Sequence, residues 1–528
     1  VTFYSIYDIK PFIMKTHYKL VALAVACLLS LHTQAQRYFE EVFTAVDKTA
    51  DVTYANNIAV LTGSPTPTDL KMDIYEPAGD TETERPLVVY IHTGSFLPLL
   101  INGTPTGSKT DSSVVEMCKQ FARRGYVAAS MDYRLGWNPV SPEQDMRTGT
   151  LLQAVYRAIL DAKACVRYFK MNYSTQGNTY GVDTNRIILV GQGTGGYIAL
   201  AYATLDKVSE IQLLKFISGS DLPPLFTAGM PYVDQSILGN FEGTNATPGN
   251  IPNNVGYSSR VRMVVNMGGA LGDSSWLEPG DVPIVAFHVT NDPFAPYANG
   301  TVVVPTTGQF VVDVSGSRKV IEYSEEAGNQ DVFDIPYSDP YTARANQVNE
   351  GYEGLFPFVK PATGPPFFGQ AGPWEWVNPA DLYAIAPFLG QTALDADTAL
   401  GGAMLTNPEI LNKAHAMAYI DTIQGYLAPR IVQVLQLPGF YNSIEFLLTN
   451  DNATLYPNPA NNTTVVKMDG NALVESVAVF DASGRSANVD AAIDASAVYL
   501  NTSRLAAGVY TVKLNTNKGI ATARLIKK

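Results

Sequence analysis

Arg186-Ile187-Ile188-Leu189-Val190-Gly191-Gln192-Gly193-Thr194-Gly195-Gly196-Tyr197-Ile198-Ala199-Leu200 is the stretch that decides the fold. Its apolar run reads as a buried strand, its glycines as a sharp turn and its end as a helix. That is the layout of a nucleophile elbow, Gly-x-Ser-x-Gly, whose third residue stands on top of a strand-to-helix turn. Here the third residue is Gly193, which has no side chain. An elbow residue is held at positive φ, a strain on the order of 1–3 kcal/mol that glycine escapes. Losing the serine therefore relieves strain while removing the expected start of acyl-enzyme chemistry. The other reading, a nucleotide-binding turn, fits poorly: the glycines lack G-x-G-x-x-G spacing, and no acidic-ended second strand follows at the right distance.

Working outward, Asp69-Leu70-Lys71-Met72-Asp73-Ile74-Tyr75 alternates like a two-faced antiparallel strand. Pro86-Leu87-Val88-Val89-Tyr90-Ile91 and Tyr126-Val127-Ala128-Ala129-Ser130-Met131 are near-continuous apolar runs, as buried parallel strands require. Helical patterns at about 112–124 and 147–173 separate them. Alternation of this kind predicts an α/β fold, a doubly wound and mostly parallel sheet with helices on both faces.

Between these elements lie His92-Thr93-Gly94-Ser95-Phe96, Phe121-Ala122-Arg123-Arg124-Gly125-Tyr126, Asp132-Tyr133-Arg134-Leu135-Gly136 and Asp161-Ala162-Lys163-Ala164. In this order, ahead of the elbow, they resemble the α/β-hydrolase carboxylesterase and lipase family over roughly residues 50–300. The resemblance implies that residues 93–95 form the oxyanion loop, with Thr93 in place of a family glycine and so narrowing the hole, and Gly94 and Ser95 following. It implies that Thr194 offers its backbone N–H to the same oxyanion. It also implies that Asp292, in Val289-Thr290-Asn291-Asp292-Pro293, holds the acid position, as a relic. Read without the family, Asn291-Asp292-Pro293 is a turn with a capping carboxylate.

The base is harder to place, because the chain has five histidines. His17 and His32 precede the body, His92 belongs to the oxyanion loop and His288 ends a strand. His415 lies in a helical stretch, whereas a triad histidine sits on a loop after the last strand. The related esterases carry a Gly-Gly-His turn upstream of a Tyr-Ile-Asp-Thr helix; the nearest match here is Gly401-Gly402-Ala403, which implies that the base is lost too. Thr194 and Ser95 are the remaining hydroxyls in reach of a nucleophile's role, and each reads better as a loop residue than as a catalyst. Residues 351–400, rich in Pro and aromatics and including Pro373-Trp374-Glu375-Trp376, read as an insertion that lids the site or pins itself to the body.

The ends carry addresses. Residues 14–35 have a basic start, an apolar stretch and a small-residue exit at Thr33-Gln34-Ala35, the pattern of a secretory signal peptide; residues 1–13 read as a non-native upstream extension. Residues 454–528 hold period-2 strands separated by turns, a small β-sandwich behind a polar linker at 441–453. They closely resemble the type IX secretion sorting domain, which implies handling by that machinery, export via the periplasm and a secreted or outer-membrane surface location. A carbohydrate-binding sandwich is the other reading, and no exposed aromatic triplet favours it. The α/β-hydrolase-like domain then spans 36–440.

The net charge of −13 conceals a split: residues 1–35 carry +2 and 453–528 carry +3, leaving −18 on the body. Such an acidic body repels phosphate backbones, which argues against nucleic acid as a partner. No transmembrane span is expected, since the apolar run at 20–31 is too short. Cys118 and Cys165 sit in helical patterns and read as buried free thiols, with a disulfide between them the lesser alternative. No Cys/His cluster suggests zinc, and no cofactor is expected. The chain thus reads as a secreted, surface-delivered pseudo-esterase with a binding or structural role and a possible ester or glycan ligand. The alternative is an active carboxylesterase with an unconventional nucleophile. A third class, different chemistry on the same fold, lacks a polar cluster to support it.

Overall fold

The computed structural model describes residues 37–61, 63–304, 308–334, 337, 339–438, 447–448, 453–468, 473–481, 485–516 and 519–528. The residues read from the sequence as an upstream extension (1–13) and a signal peptide (14–35), and most of those read as a linker (441–453), lie outside the described residues. The chain divides into two compact units, a body that ends at Pro438 and a C-terminal unit that follows it.

The body is built on eight strands: β1 (Val46–Ala59), β2 (Thr66–Pro77), β3 (Arg85–Ile91), β4 (Val127–Met131), β5 (Val182–Gln192), β6 (Met263–Met267), β8 (Ile284–Val289) and β11 (Leu355–Phe358). Their order across the sheet is β1-β2-β4-β3-β5-β6-β8-β11. β1, β2 and β4 pair antiparallel, and every pair from β4 through β11 is parallel. Strands β3, β4, β6, β8 and β11 are buried at every residue, because crossover helices cover both faces of a parallel sheet. A small sheet, β7 (Ala270–Leu271), β9 (Asn299–Val303) and β10 (Phe310–Gly316), sits apart in the order β7-β10-β9.

Three helices complete the crossovers around the elbow: α1 (Ser112–Arg123), α2 (Gln144–Thr175) and α3 (Thr194–Thr204). α1 is strongly amphipathic and buries Val114, Met117, Cys118 and Phe121, which fixes its inner face on the sheet. Cys118 and Cys165 are both buried and free, as the sequence reading has it. Later helices are α4 (Ser317–Glu326), α5 (Pro379–Ile385), α6 (Ala393–Met404) and α7 (Lys413–Leu435). α7 lays Tyr426 against Phe287 and Phe356, with ring centroids 5.7 and 5.1 Å away. Within the 351–400 segment, Leu355–Phe358 is the eighth strand of the main sheet, parallel to β8, so the insertion begins only after it. The sequence places Leu355-Phe356-Pro357-Phe358 within the Pro- and aromatic-rich insertion; the structure corrects this, since the run stands at the sheet edge, where the missing N–H of Pro357 is tolerated.

The two sequence motifs around Asp132-Tyr133-Arg134 and Asp161 meet as a buried lock. Arg134 Nε donates to both Asp161 oxygens (2.9 and 3.0 Å), and the Arg134 N–H donates to Asp161 Oδ2 at 2.9 Å. Both side chains are fully buried. The remaining guanidinium N–H groups reach the carbonyls of Ile58, Gly249 and Arg157. A buried charge pair this well satisfied sets the loop after β4 onto α2. That loop carries Tyr133 to the functional site.

The C-terminal unit has two sheets, β12 (Leu447–Leu448), β20 (Gly519–Lys527), β19 (Gly508–Thr516), β15 (Val474–Asp481) and β16 (Ser486–Ala487) in that order, and β13 (Ala453–Tyr456), β14 (Thr463–Met468), β18 (Ala497–Asn501) and β17 (Asp490–Asp494). Val466, Val498 and Leu500 from one sheet and Val512, Leu514 and Leu525 from the other share one core. That is the small sandwich expected from the period-2 pattern.

Candidate functional site

All parallel strands deliver their C-terminal ends to one edge of the sheet, where ligands of open α/β sheets bind. His92 follows β3, Asp132 follows β4, Gly193 follows β5, Gly268 follows β6 and Asp292 follows β8. A cavity of about 490 Å³ opens there, lined by Thr93, Gly94, Ser95, Gly193, Thr194 and Asp292 among others. Every site residue taken from the sequence thus borders one space.

Gly193 has φ 55° and ψ −116°, a positive-φ turn that an L side chain adopts only under strain. Its N–H donates to Met267 O (2.8 Å), and its carbonyl accepts from Gly196 N (2.9 Å). A Cβ built on Gly193 would overlap Thr93 Oγ1 and come within 2.9 Å of Thr93 Cβ. The side chain of Thr93 therefore stands over the elbow, in the space toward which an elbow side chain would point. Gly195 is required on other grounds: a Cβ there would run into the Ile91 carbonyl, so α3 can start this close to β3 only on glycine.

The loop after β3 is firmly held. Ser95 and Phe96 both have positive φ, at 53° and 54°. Trp137 Nε1 donates to Ser95 O at 2.7 Å, and Gly136 N donates to Phe96 O at 2.8 Å. Tyr133 OH lies 3.1 Å from His92 O, 3.2 Å from Thr93 O and 3.1 Å from Thr194 Oγ1. The Thr194 hydroxyl is thus engaged with Tyr133.

Asp292 Oδ1 accepts from Phe294 N (2.8 Å) and Ala295 N (3.1 Å). This is the turn-capping role, and the same residue also borders the cavity. Burial pushes its carboxyl up to about 7; the two N–H bonds oppose that, and the nearby Glu375 adds to it.

The three described histidines lie elsewhere. His288 is buried on β8; its Nε2–H donates to Ala295 O (3.0 Å) and its Nδ1 accepts from Ser317 Oγ (2.6 Å). Its Nε2 lies 3.9 Å from Asp292 Oδ2 but is committed to the carbonyl. His92 Nδ1–H donates to Thr93 O at 2.5 Å. Burial pushes both imidazoles down to about 4, so they are neutral. His415, on the first turn of α7, borders a separate groove of about 520 Å³ with Lys360, Gln370 and Glu409. Gly402 and Ala403 do line the main cavity, with Ala403 on the last turn of α6. Among the described residues that line the cavity, none is His, Lys, Arg or Cys.

Sequence reasoning missed Glu375. It follows Trp374 in the segment after β11, and both line the cavity. Glu375 Oε1 accepts from Gln192 Nε2 (2.6 Å), the residue just before the elbow glycine, and Oε2 accepts from Thr106 Oγ1 (3.2 Å). Gln192 Oε1 in turn accepts from Tyr90 OH at 2.8 Å. Burial pushes the Glu375 carboxyl up to about 7 against these two donors. A single carboxylate among the aromatics of Pro373-Trp374-Glu375-Trp376 was the available signal. Among the described residues no group of three or more His, Cys, Asp or Glu is placed to hold a metal.

The sheet order and the elbow at the end of β5 define the class, an α/β-hydrolase-fold protein. Residues 72–222 match the BD-FAE family, and residues 454–528 match the secretion system C-terminal sorting domain. The chain thus carries an esterase-like hydrolase domain and a type IX sorting domain, which marks it for export and the outer-membrane surface. A curated relative, a non-reducing polyketide synthase of Stereocaulon alpinum, is 27% identical over 148 residues, which is 27% of this chain. The match spans only 5% of that synthase. Among solved structures, an esterase of Thermogutta terrifontis with bound propionate is 18% identical, covering 55% of this chain and 79% of that one, with a TM-score of 0.30. The same species' esterase 2 phosphorylated by paraoxon is 17% identical over 60% and 83%, with a TM-score of 0.32. No described helix is long and apolar enough to cross a membrane.

Proposed function

We propose that this protein is an exported binding protein on an esterase scaffold, with the hydrolytic machinery gone. The observation that carries this reading is the packing of Thr93 over Gly193: the space a nucleophile needs is filled by another residue's side chain. The histidines support it. An unassisted hydroxyl is a weak nucleophile, and among the described residues no imidazole borders the cavity beside Asp292 or Gly193. Asp292 is a relic on this reading, and Ala403, the nearest sequence match to the lost base, lines the same cavity.

What remains is a ligand cavity of the size that holds small molecules, walled by Phe96, Trp137, Trp276, Phe294, Phe367 and Trp374. Such walls favour an apolar or aryl ligand over a glycan, which needs more hydrogen-bonding partners. Delivery by the sorting domain puts this cavity at the cell surface or in the medium. The test is steady-state hydrolysis of aryl acetates and propionates by the purified mature protein. Turnover at the buffer rate supports the reading. Saturable turnover abolished by Thr93→Val, Thr194→Val or Ser95→Ala would replace it with the active-esterase alternative.

A further inference from the structure

Charge in the cavity is one-sided. Asp292 and Glu375 both face it, and no Lys, Arg or His is among the described residues that line it. The two carboxyls are satisfied only by neutral groups. Asp292 Oδ1 takes two backbone N–H bonds, while among the described residues no hydrogen bond reaches Oδ2 and the neighbouring His288 Nε2 is spent on Ala295 O. Glu375 rests on an amide and a hydroxyl. An ionised carboxylate held in apolar surroundings by neutral dipoles alone is costly, and a cation that reaches it relieves that cost.

A second observation concerns the walls. Trp276 and Trp374 are 6% and 2% exposed and, with Phe294 and Phe367, line the cavity, aromatic surface of the kind on which a desolvated ammonium is stabilised.

We infer that the cavity takes a hydrophobic ammonium ion, an amine on an aryl-sized apolar body, with Asp292 and Glu375 as counter-charges and Trp276 and Trp374 as walls. This rests on the reading of the site as a silent binding cleft and names the ligand class for it. Carboxylate ligands are disfavoured by the same two acids. Neutral ligands of equal size gain the apolar contacts but leave the charges unrelieved.

The experiment titrates the mature protein with phenylpropylamine, phenylpropanol and phenylpropanoate, matched in size and differing in charge, by calorimetry or tryptophan quenching. The amine is expected to bind about tenfold more tightly than the alcohol, and the carboxylate weakest. Asp292→Asn and Glu375→Gln should each shrink the amine's advantage and leave alcohol binding in place. If either variant fails to fold, the wild type decides through pH: amine affinity should rise between about pH 5.5 and 8 while alcohol affinity stays flat. The groups that face the two carboxyls set that window. His288 stays neutral throughout, Tyr197 and Tyr90 stay protonated because burial pushes them up, and Asp111, pushed up to about 8, titrates in the same sense. Alcohol binding equal to or tighter than amine binding, an amine preference unmoved by both variants and by pH, or no binding by any of the three would overturn the inference. Phenylpropyl acetate run in parallel separates the two layers: its turnover would sink the silent-cleft reading whatever the amine does, and its stability alongside a missing amine preference would sink the ligand class alone.

Discussion

Gly193→Ser is the substitution that would seem to repair this protein, and the structure predicts that it damages it instead. Two costs add. At φ 55° and ψ −116° a side chain brings backbone strain of about 1–3 kcal/mol. Its Cβ also meets Thr93, overlapping Oγ1 and lying 2.9 Å from Cβ. Rotating the Thr93 χ1 moves the hydroxyl aside but leaves Cβ where it is, so an overpacking cost of about 1–3 kcal/mol remains. Together the single variant should lose about 2–6 kcal/mol. Adding Thr93→Gly removes the second cost and not the first, so the double variant should recover about 1–3 kcal/mol relative to the sum of the singles. Urea unfolding followed by tryptophan fluorescence isolates the effect, since all four tryptophans (Trp137, Trp276, Trp374 and Trp376) belong to the body. A single variant as stable as the parent, or strict additivity in the cycle, would show that Thr93 does not stand over Gly193. Neither variant should gain rapid esterase activity, because among the described residues no imidazole borders the cavity.

Raised carboxyls make stability fall with rising pH. Asp292 and Glu375, pushed up to about 7, and Asp111, up to about 8, hold protons in the folded state that the unfolded chain releases near pH 4, so they weaken the body as pH rises from about 4 to 8. His92 and His288, pushed down to about 4, oppose this up to about pH 6.5, so the fall should be steepest from about pH 6.5 to 8; urea midpoints across that range check it, and Asp292→Asn should flatten the slope. Arg134→Met strands the buried Asp161 carboxylate and should cost about 3–5 kcal/mol, read by the same unfolding assay, whereas Arg134→Met with Asp161→Leu should recover much of it. Deleting residues 454–528 should leave the body folded but retained in the periplasm, because its core and the sandwich core are separate clusters; mass spectrometry of cell fractions checks it, and normal export of the truncated chain would refute the sorting role.

Much of the fold was legible because the buried parallel strands write themselves as continuous apolar runs, and because the elbow glycines leave no other backbone path between β5 and α3. β11 was not, since Leu355-Phe356-Pro357-Phe358 is four residues long and interrupted by a proline that only an edge position excuses. At the site, Gly193 came from the elbow pattern and Thr93 and Asp292 from the family resemblance, and all three border one cavity. The direction of the Thr93 side chain was not legible, since it depends on how the loop after β3 is pinned by Trp137 and Tyr133 from the next crossover. Glu375 was hidden for a related reason: it comes from the segment after the last strand, and only folding places it beside Gln192, 183 positions earlier in the chain.

The central claim is that the elbow offers no nucleophile. Intact-mass analysis of the mature protein after prolonged exposure to an excess of a fluorophosphonate probe tests it most directly, since any activated hydroxyl at the site would be phosphonylated stoichiometrically. The account predicts an unshifted mass for the wild type. A single adduct mapped by peptide sequencing to Thr93, Ser95 or Thr194 would contradict it and restore the esterase.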